Sequence, residues 1–359
     1  MKYFIALLML VPCILYAQTK LPNPTIKIIN DSANTSLRGL SAVNDNVVWV
    51  SGSKGQVGKS TDGGATWKWM TVKGFEKRDF RDIEAFDSLT AIIMGIGNPA
   101  IILKTKDGGE TWKTVFEKEG EGMFLDAMDF KNNKEGICIG DPIISDGSKH
   151  FFMALTRNGG ETWVEQPARY TPQPQVESEA IFAASGSNIK YLAKNKKYWY
   201  AFATGGMQSN LYLGKRGGGV EIHNIKIKQG SNASGAFSMC TDDADNFYFA
   251  GGDYTKKDAA DSNSCYTKNY GKTFKTGRQN PYGYRSCVTQ LYDNTFVCTG
   301  INGTDISYNN CKTWSSLKII DTQNTVGFNS CNVSKNGNTL FFVGDKGKIG
   351  KLVFGNVFK

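Results

Sequence analysis

Asp126, Glu179 and Tyr284 are the side chains of this chain best suited to glycoside hydrolysis. That chemistry asks for a carboxylate as acid/base, a second group as nucleophile, and cationic donors that hold the substrate. A serine hydrolase would instead draw its base from His150 or His223, the two histidines. Both lie in strand-like runs, where a packed or surface imidazole is the commoner reading. Gly52 to Ser60 has the look of a phosphate loop. Its glycines stand one residue too far apart for G-x-x-x-x-G-K-S, and a turn follows where a helix would have to begin. No CxxC pair occurs, so a zinc site of the usual type has no support. No metal or cofactor is expected.

A wider set mixes both charges with an aromatic, as a polar ligand or a protein partner would need: Arg81, Asp126, Asp141, Glu179, Asp253, Tyr284 and Arg285. These residues can act together only if the fold gathers them. An equal reading has them pair with one another and merely hold loops. The elements that would gather them are legible from the repeats.

One octapeptide recurs along the chain. Ser60, Asp62, Gly64 and Trp67 mark it in STDGGATW; Thr105, Asp107, Gly109 and Trp112 in TKDGGETW; Thr156, Asn158, Gly160 and Trp163 in TRNGGETW. Weaker copies carry Thr267, Asn269, Gly271 and Phe274, then Ser307, Asn309 and Trp314. The pattern resembles the Asp box, S-x-D-x-G-x-T-W, of sialidase-like propellers. A tight hairpin explains the residue types. Asp or Asn bonds its own backbone, Gly takes positive φ, the hydroxyl caps the turn, and the aromatic packs between sheets. The carboxylates of Asp62 and Asp107 are therefore read as structural, each in a separate blade's outer turn.

The spacing counts the blades. Box starts at 60, 105 and 156 lie 45 and 51 residues apart, and 267 to 307 is 40, the lengths of four-stranded blades. The 111 residues from 156 to 267 hold two blades, with an eroded box at Gly214 to Glu221. Gly344 to Leu352 echoes Gly52 to Ser60 and marks a seventh blade. The expectation is an all-β, seven-bladed β-propeller. A strand at about 25–30 completes the last blade and removes the open edges of the ring. Short turns, as at Asn44-Asp-Asn46 and Asp293-Asn294, then share one face with the boxes. The longer connections 116–123, 140–149, 166–178, 252–264 and 276–283 fall on the opposite face, which is the expected binding side. The seven mixed residues lie in these loops or at the inner strands they feed.

The N-terminus reads as a targeting segment. Lys2 precedes an almost unbroken apolar run, Phe4 to Tyr16, that ends at Ala17. That is the pattern of a secretory signal peptide over 1–17, leaving 18–359 as a single propeller. Pro12 stands before Cys13 where a lipoprotein signal carries a small residue. No second apolar run is long enough to span a membrane, so a secreted or periplasmic protein is expected. Lys194 to Lys197, ahead of Tyr198-Trp-Tyr200, is a basic run beside aromatics in a chain of net charge +9. Export argues against nucleic acid as its partner, and a solvated loop is the simpler reading. Beyond Cys13, seven cysteines remain, and Cys287 with Cys298 is the disulfide expected across a hairpin.

Beyond the boxes, the chain resembles the photosystem II stability/assembly factor-like propellers. The likeness rests on Phe80-Arg-Asp-Ile83, Phe124-Leu-Asp126, Gly140-Asp-Pro142, Ala203-Thr-Gly-Gly206, Gly283-Tyr-Arg-Ser286 and Val326-Gly-Phe-Asn329. It runs over essentially the whole mature chain and departs at the eroded fourth box and the Cys-rich last blades. The resemblance implies a propeller that binds proteins and is not an enzyme; no residue points to a photosynthetic host. The expected function is a non-catalytic binding or assembly role, with a protein or glycan/polar ligand on the long-loop face. The alternative is a glycoside hydrolase of sialidase type. Against it stand the count of seven blades where that class has six, the scarcity of arginine beside lysine, and the missing F-R-I-P run, to which Phe80-Arg-Asp-Ile is nearest. The sequence leaves the oligomeric state open.

Overall fold

The computed structural model describes residues 24–30, 32–320, 327–335, 337 and 339–354, so the signal-peptide reading and Cys13 lie outside the described residues. Among those residues seven sheets follow one another, antiparallel except for one strand added at the edge of the last. Blade one runs Leu37–Ala42, Val48–Gly52, Gln56–Ser60 and Lys68–Thr71, and blade two repeats the meander from Phe80–Ala85 to Lys113–Lys118. Blades three to six begin at Leu125–Phe130, Ile189–Tyr191, Ser234–Thr241 and Cys287–Tyr292. Blade seven is Ser330–Val333, Leu340–Val343 and Ile349–Phe354, joined by the N-terminal strand Pro24–Asn30.

That closure is the one expected. Ile26 pairs with Leu352 in antiparallel register and is fully buried. The short strand Lys318–Ile320 then adds outside it in parallel, so blade seven has five strands. Between each pair of neighbouring blades lies an apolar cluster. One of them joins the ends of the ring through Leu37 and Val48 of blade one with Phe341 and Ile349 of blade seven. Burial of these inter-blade faces is the main stabilising term, at about 25 cal/mol per Å2.

The box turns show why their residue types recur. The Ser60 hydroxyl donates to Asp62 Oδ1 at 2.8 Å and accepts the Gly64 N–H at 2.8 Å. Asp62 accepts the Thr66 N–H at 2.9 Å and its hydroxyl at 2.6 Å. In blades three, five and six, Asn158, Asn269 and Asn309 keep the same frame, their amides donating to the threonine hydroxyls at 2.8–2.9 Å. The eroded fourth copy still makes a hairpin between Asn210–Lys215 and Val220–Asn224.

Two expectations are corrected. Cys287 and Cys298 are free thiols, as are the other five cysteines of the described residues. Cys287 is registered opposite Thr299, and Cys298 opposite Val288. The one-residue offset turns the two side chains to opposite faces of the sheet, one packed toward blade seven and the other toward blade five. The segment 140–149 is not a loop either. Strands Gly136–Ser145 and Ser148–Thr156 continue through it to a tight turn at Asp146 and Gly147.

Candidate functional site

The axis of the ring is occupied by its own chain. Residues 181–188, between the short strand Glu179–Ala180 and blade four, touch every other blade. Ile181 N–H donates to Asp141 Oδ1 of blade three at 2.9 Å. The Ala184 carbonyl accepts from Arg38 of blade one at 3.3 Å, and the Ala183 carbonyl from Arg81 of blade two at 3.5 Å. Ser185 donates to the Ser286 carbonyl of blade six at 2.8 Å and its own carbonyl accepts from Ser330 of blade seven at 3.4 Å. Ser187 shares a hydrogen bond with Ser238 of blade five at 2.6 Å. The segment is a plug, and Phe182 locks it by stacking on Phe237 with ring centroids 3.9 Å apart.

Above the plug, on the long-loop face, lies a cavity of about 460 Å3. Its walls include Arg38, Arg81, Asp141, Phe237, Tyr254 and Tyr284, and its floor is Phe182 to Ala184. Arg81 also donates from Nε to Asp79 at 2.8 Å. Arg38 makes no ion pair among the described residues; burial, and next the Arg81 guanidinium, lower its proton affinity. Two guanidiniums facing one cavity, each spending one long bond on a plug carbonyl, leave donors that suit an incoming carboxylate. The Asp141 carboxyl is raised by burial to about 6.

Of the seven residues picked from the sequence, this cavity gathers Arg81, Asp141 and Tyr284. Tyr284 is buried, with its ring edge against Phe237 at 4.8 Å. The other four do not reach the cavity. Asp126 lies beneath it, fully buried, with both carboxyl oxygens unpartnered and its pKa raised well above the carboxylate range by burial and then by Asp141. Glu179 accepts from Asn210 at 2.8 Å and from the Tyr212 hydroxyl at 2.9 Å. Both members of this Tyr–Glu pair are buried, and Tyr284 is not part of it. Asp253 caps a short 3-10 turn through Thr255. Arg285 is 1 % exposed, ion-paired with Asp305 and bonded to Asn302 at 2.8 Å. Glu179, Asp253 and Arg285 hold loops and strand ends in place. The residue missed is Arg38. Its signal was present: Leu37-Arg38 and Phe80-Arg81 open the inner strands of consecutive blades at the same position.

The histidines do not assemble a triad. His150 bonds Ser145 at 2.7 Å and Thr171 at 3.0 Å, with no carboxylate among those partners, and His223 faces Glu221.

Comparison with known proteins bears on this arrangement. The family profile of the photosynthesis system II assembly factor YCF48 matches residues 25–119. That span is the closing strand with blades one and two, and it contains both Arg38 and Arg81. No curated protein sequence matches the chain. A solved structure of YCF48 bound to D1 peptide shares the fold with a TM-score of 0.61 at 15% identity, covering 94% of this chain and 100% of that one. YCF48 from Cyanidioschyzon merolae aligns with a TM-score of 0.54 at 18% identity, over 91% of this chain and 98% of that one. The WD40 β-propeller domain of Doa1 aligns equally well, at 0.62 and 12% identity over 93% and 96%. At such identities the structural likeness is one of fold, the seven-bladed ring. The resemblance read from the sequence agrees with the profile match to the YCF48 family. No helix of the described residues is long and apolar enough to cross a membrane.

Proposed function

We infer that this chain is a non-catalytic binding propeller, exported from the cytoplasm, that receives a segment of a protein partner in the cavity over the plug. The observation that carries this reading is the Arg38–Arg81 pair, aimed into an aromatic-walled cavity on the long-loop face. Paired guanidiniums in a partly desolvated pocket suit a carboxylate, from an acidic side chain or a peptide C-terminus. Phe237, Tyr254 and Tyr284 suit the apolar side chains beside it. The fold of a YCF48 that was solved with a D1 peptide supports a peptide as the occupant. The profile match over blades one and two supports it as well.

A peptide array tests the reading. Peptides with free C-terminal carboxylates or internal acidic residues should be retained, and their amidated, neutral counterparts should not. Retention on a glycan array with none on the peptide array would favour the sialidase-type alternative.

A further inference from the structure

A second cavity is on the outer rim, between blades three and four, and shares no lining residue with the one over the plug: a groove of about 930 Å3. Its origin is the eroded fourth box. In blades one, two and three the second glycine of the box packs on the preceding blade, Gly64 against Ile29, Gly109 against Met70 and Gly160 against Ile92. In blade four Gly218 and Gly219 have nothing within 4 Å of where a Cβ would stand, and Val220 follows them directly, with no box tryptophan between. The turn therefore stands clear of blade three and leaves the wedge open.

The lining of that wedge is basic and aromatic. Arg157 is exposed and makes no hydrogen bond or ion pair among the described residues. Arg169 lies over the ring of Tyr170, 4.6 Å from its centroid, and that ring is 67% exposed. Arg216 is fixed by donating to the carbonyls of Asn195 at 2.7 Å and Leu192 at 2.9 Å, with no carboxylate partner. Trp199 is half-buried on the floor, its ring edge-on to Tyr200 at 4.4 Å. The one carboxylate, Glu135, is neutralised by Lys131 at 3.0 Å.

We propose that this rim groove is a second binding site, which takes an acidic peptide segment carrying apolar or aromatic side chains. Three arginines supply planar, two-pronged donors that match carboxylates better than lysines would. Arginine, tryptophan and tyrosine are the residues that anchor protein interfaces. The floor of Leu155, Trp199 and Val220 suits the apolar side chains of such a peptide. The site is independent of the cavity over the plug, and the two can fail separately.

The test uses an amidated synthetic peptide of alternating Glu and Phe, which lacks the terminal carboxylate. It is titrated into the intact protein and followed by calorimetry and by tryptophan fluorescence. Saturable binding is expected, weakened at least tenfold in the double variant Arg157→Glu with Arg169→Glu and in the milder Arg157→Ala with Arg169→Ala. Trp199→Phe should remove most of the fluorescence change, and every titration is made in an Arg38→Glu background, which closes the cavity over the plug to this acidic peptide. Both arginines are on the surface, so circular dichroism and melting should be unchanged in these variants. No binding, equal binding in both double variants, or binding of heparin with none of the peptide would each overturn the proposal.

Discussion

Gly186 lies directly against the carboxylate of Asp82, so close that a Cβ on residue 186 would fall inside the van der Waals envelope of both carboxyl oxygens. Its φ of 67° is also one that L side chains rarely adopt. Asp82 cannot give way, since its oxygens accept the backbone N–H groups of Ile83 at 2.8 Å and Met128 at 2.7 Å. The plug is thus fixed to blades two and three at its tightest point. Gly186→Val should displace it, lower stability by about 2–4 kcal/mol in a denaturant melt, and weaken ligand binding over the plug. Unchanged stability would mean that the segment does not thread the axis.

The boxes should behave as scaffolding. Trp314 is fully buried between blades five and six and donates to Ser264 at 3.2 Å, so Trp314→Ala should cost about 3–5 kcal/mol in chemical unfolding. Trp112 is only half-buried, and its truncation should cost less. Asp107→Asn should be nearly silent, because the chain itself uses Asn at that position in blades three, five and six.

Ring closure rests on Pro24–Asn30. Ile26→Ala should destabilise by about 2–5 kcal/mol, and a chain lacking residues 18–30 should melt far lower. An unchanged melting temperature on deletion would contradict the five-stranded last blade.

Stability should fall as pH rises between 5 and 8. Burial raises the Asp141 carboxyl to about 6, and burial followed by the nearby Asp129 raises Glu84 to about 7. A carboxyl with a folded pKa above its unfolded value stabilises the fold while protonated, and that contribution is lost as pH passes through 6 and 7. Melting points should therefore drop by about a few degrees from pH 5 to pH 8, and Asp141→Asn with Glu84→Gln should flatten the profile. Glu221 acts in the opposite sense. Burial opposes its ionisation, but bonds from Tyr198, His223 and Lys197 hold it at about 2, so its contribution is lost only in strong acid.

The parts of this molecule that were legible in its sequence are those set by local chemistry. Box turns repeat because Ser60 to Trp67 and its copies solve the same hairpin problem, and their spacing counts blades. The strand 25–30 was placed by counting what the last blade lacked. What depends on contacts across the ring was not legible. Residues 181–188 carry no local sign that they pass through the axis. Glu179 and Arg285 looked available because their burial comes from Tyr212 and Asp305, distant in sequence. Cys287 and Cys298 looked paired because a one-residue register offset decides which face each side chain takes.

The central claim is that the cavity over the plug binds through Arg38 and Arg81. The most direct measurement is the dissociation constant of an array-selected acidic peptide for the wild type, Arg38→Ala, Arg81→Ala and a control on the box face, Lys106→Glu. Lys106 is 64% exposed and its ion pair is with Glu161 of the neighbouring box, so its reversal acts on the box face and not on the opposite one. Each arginine loss should weaken binding about tenfold to a hundredfold, the worth of one charge-assisted hydrogen bond, with Lys106→Glu near wild type and all melting points alike. Binding abolished by Lys106→Glu and indifferent to both arginines would place the working surface on the wrong side of the ring.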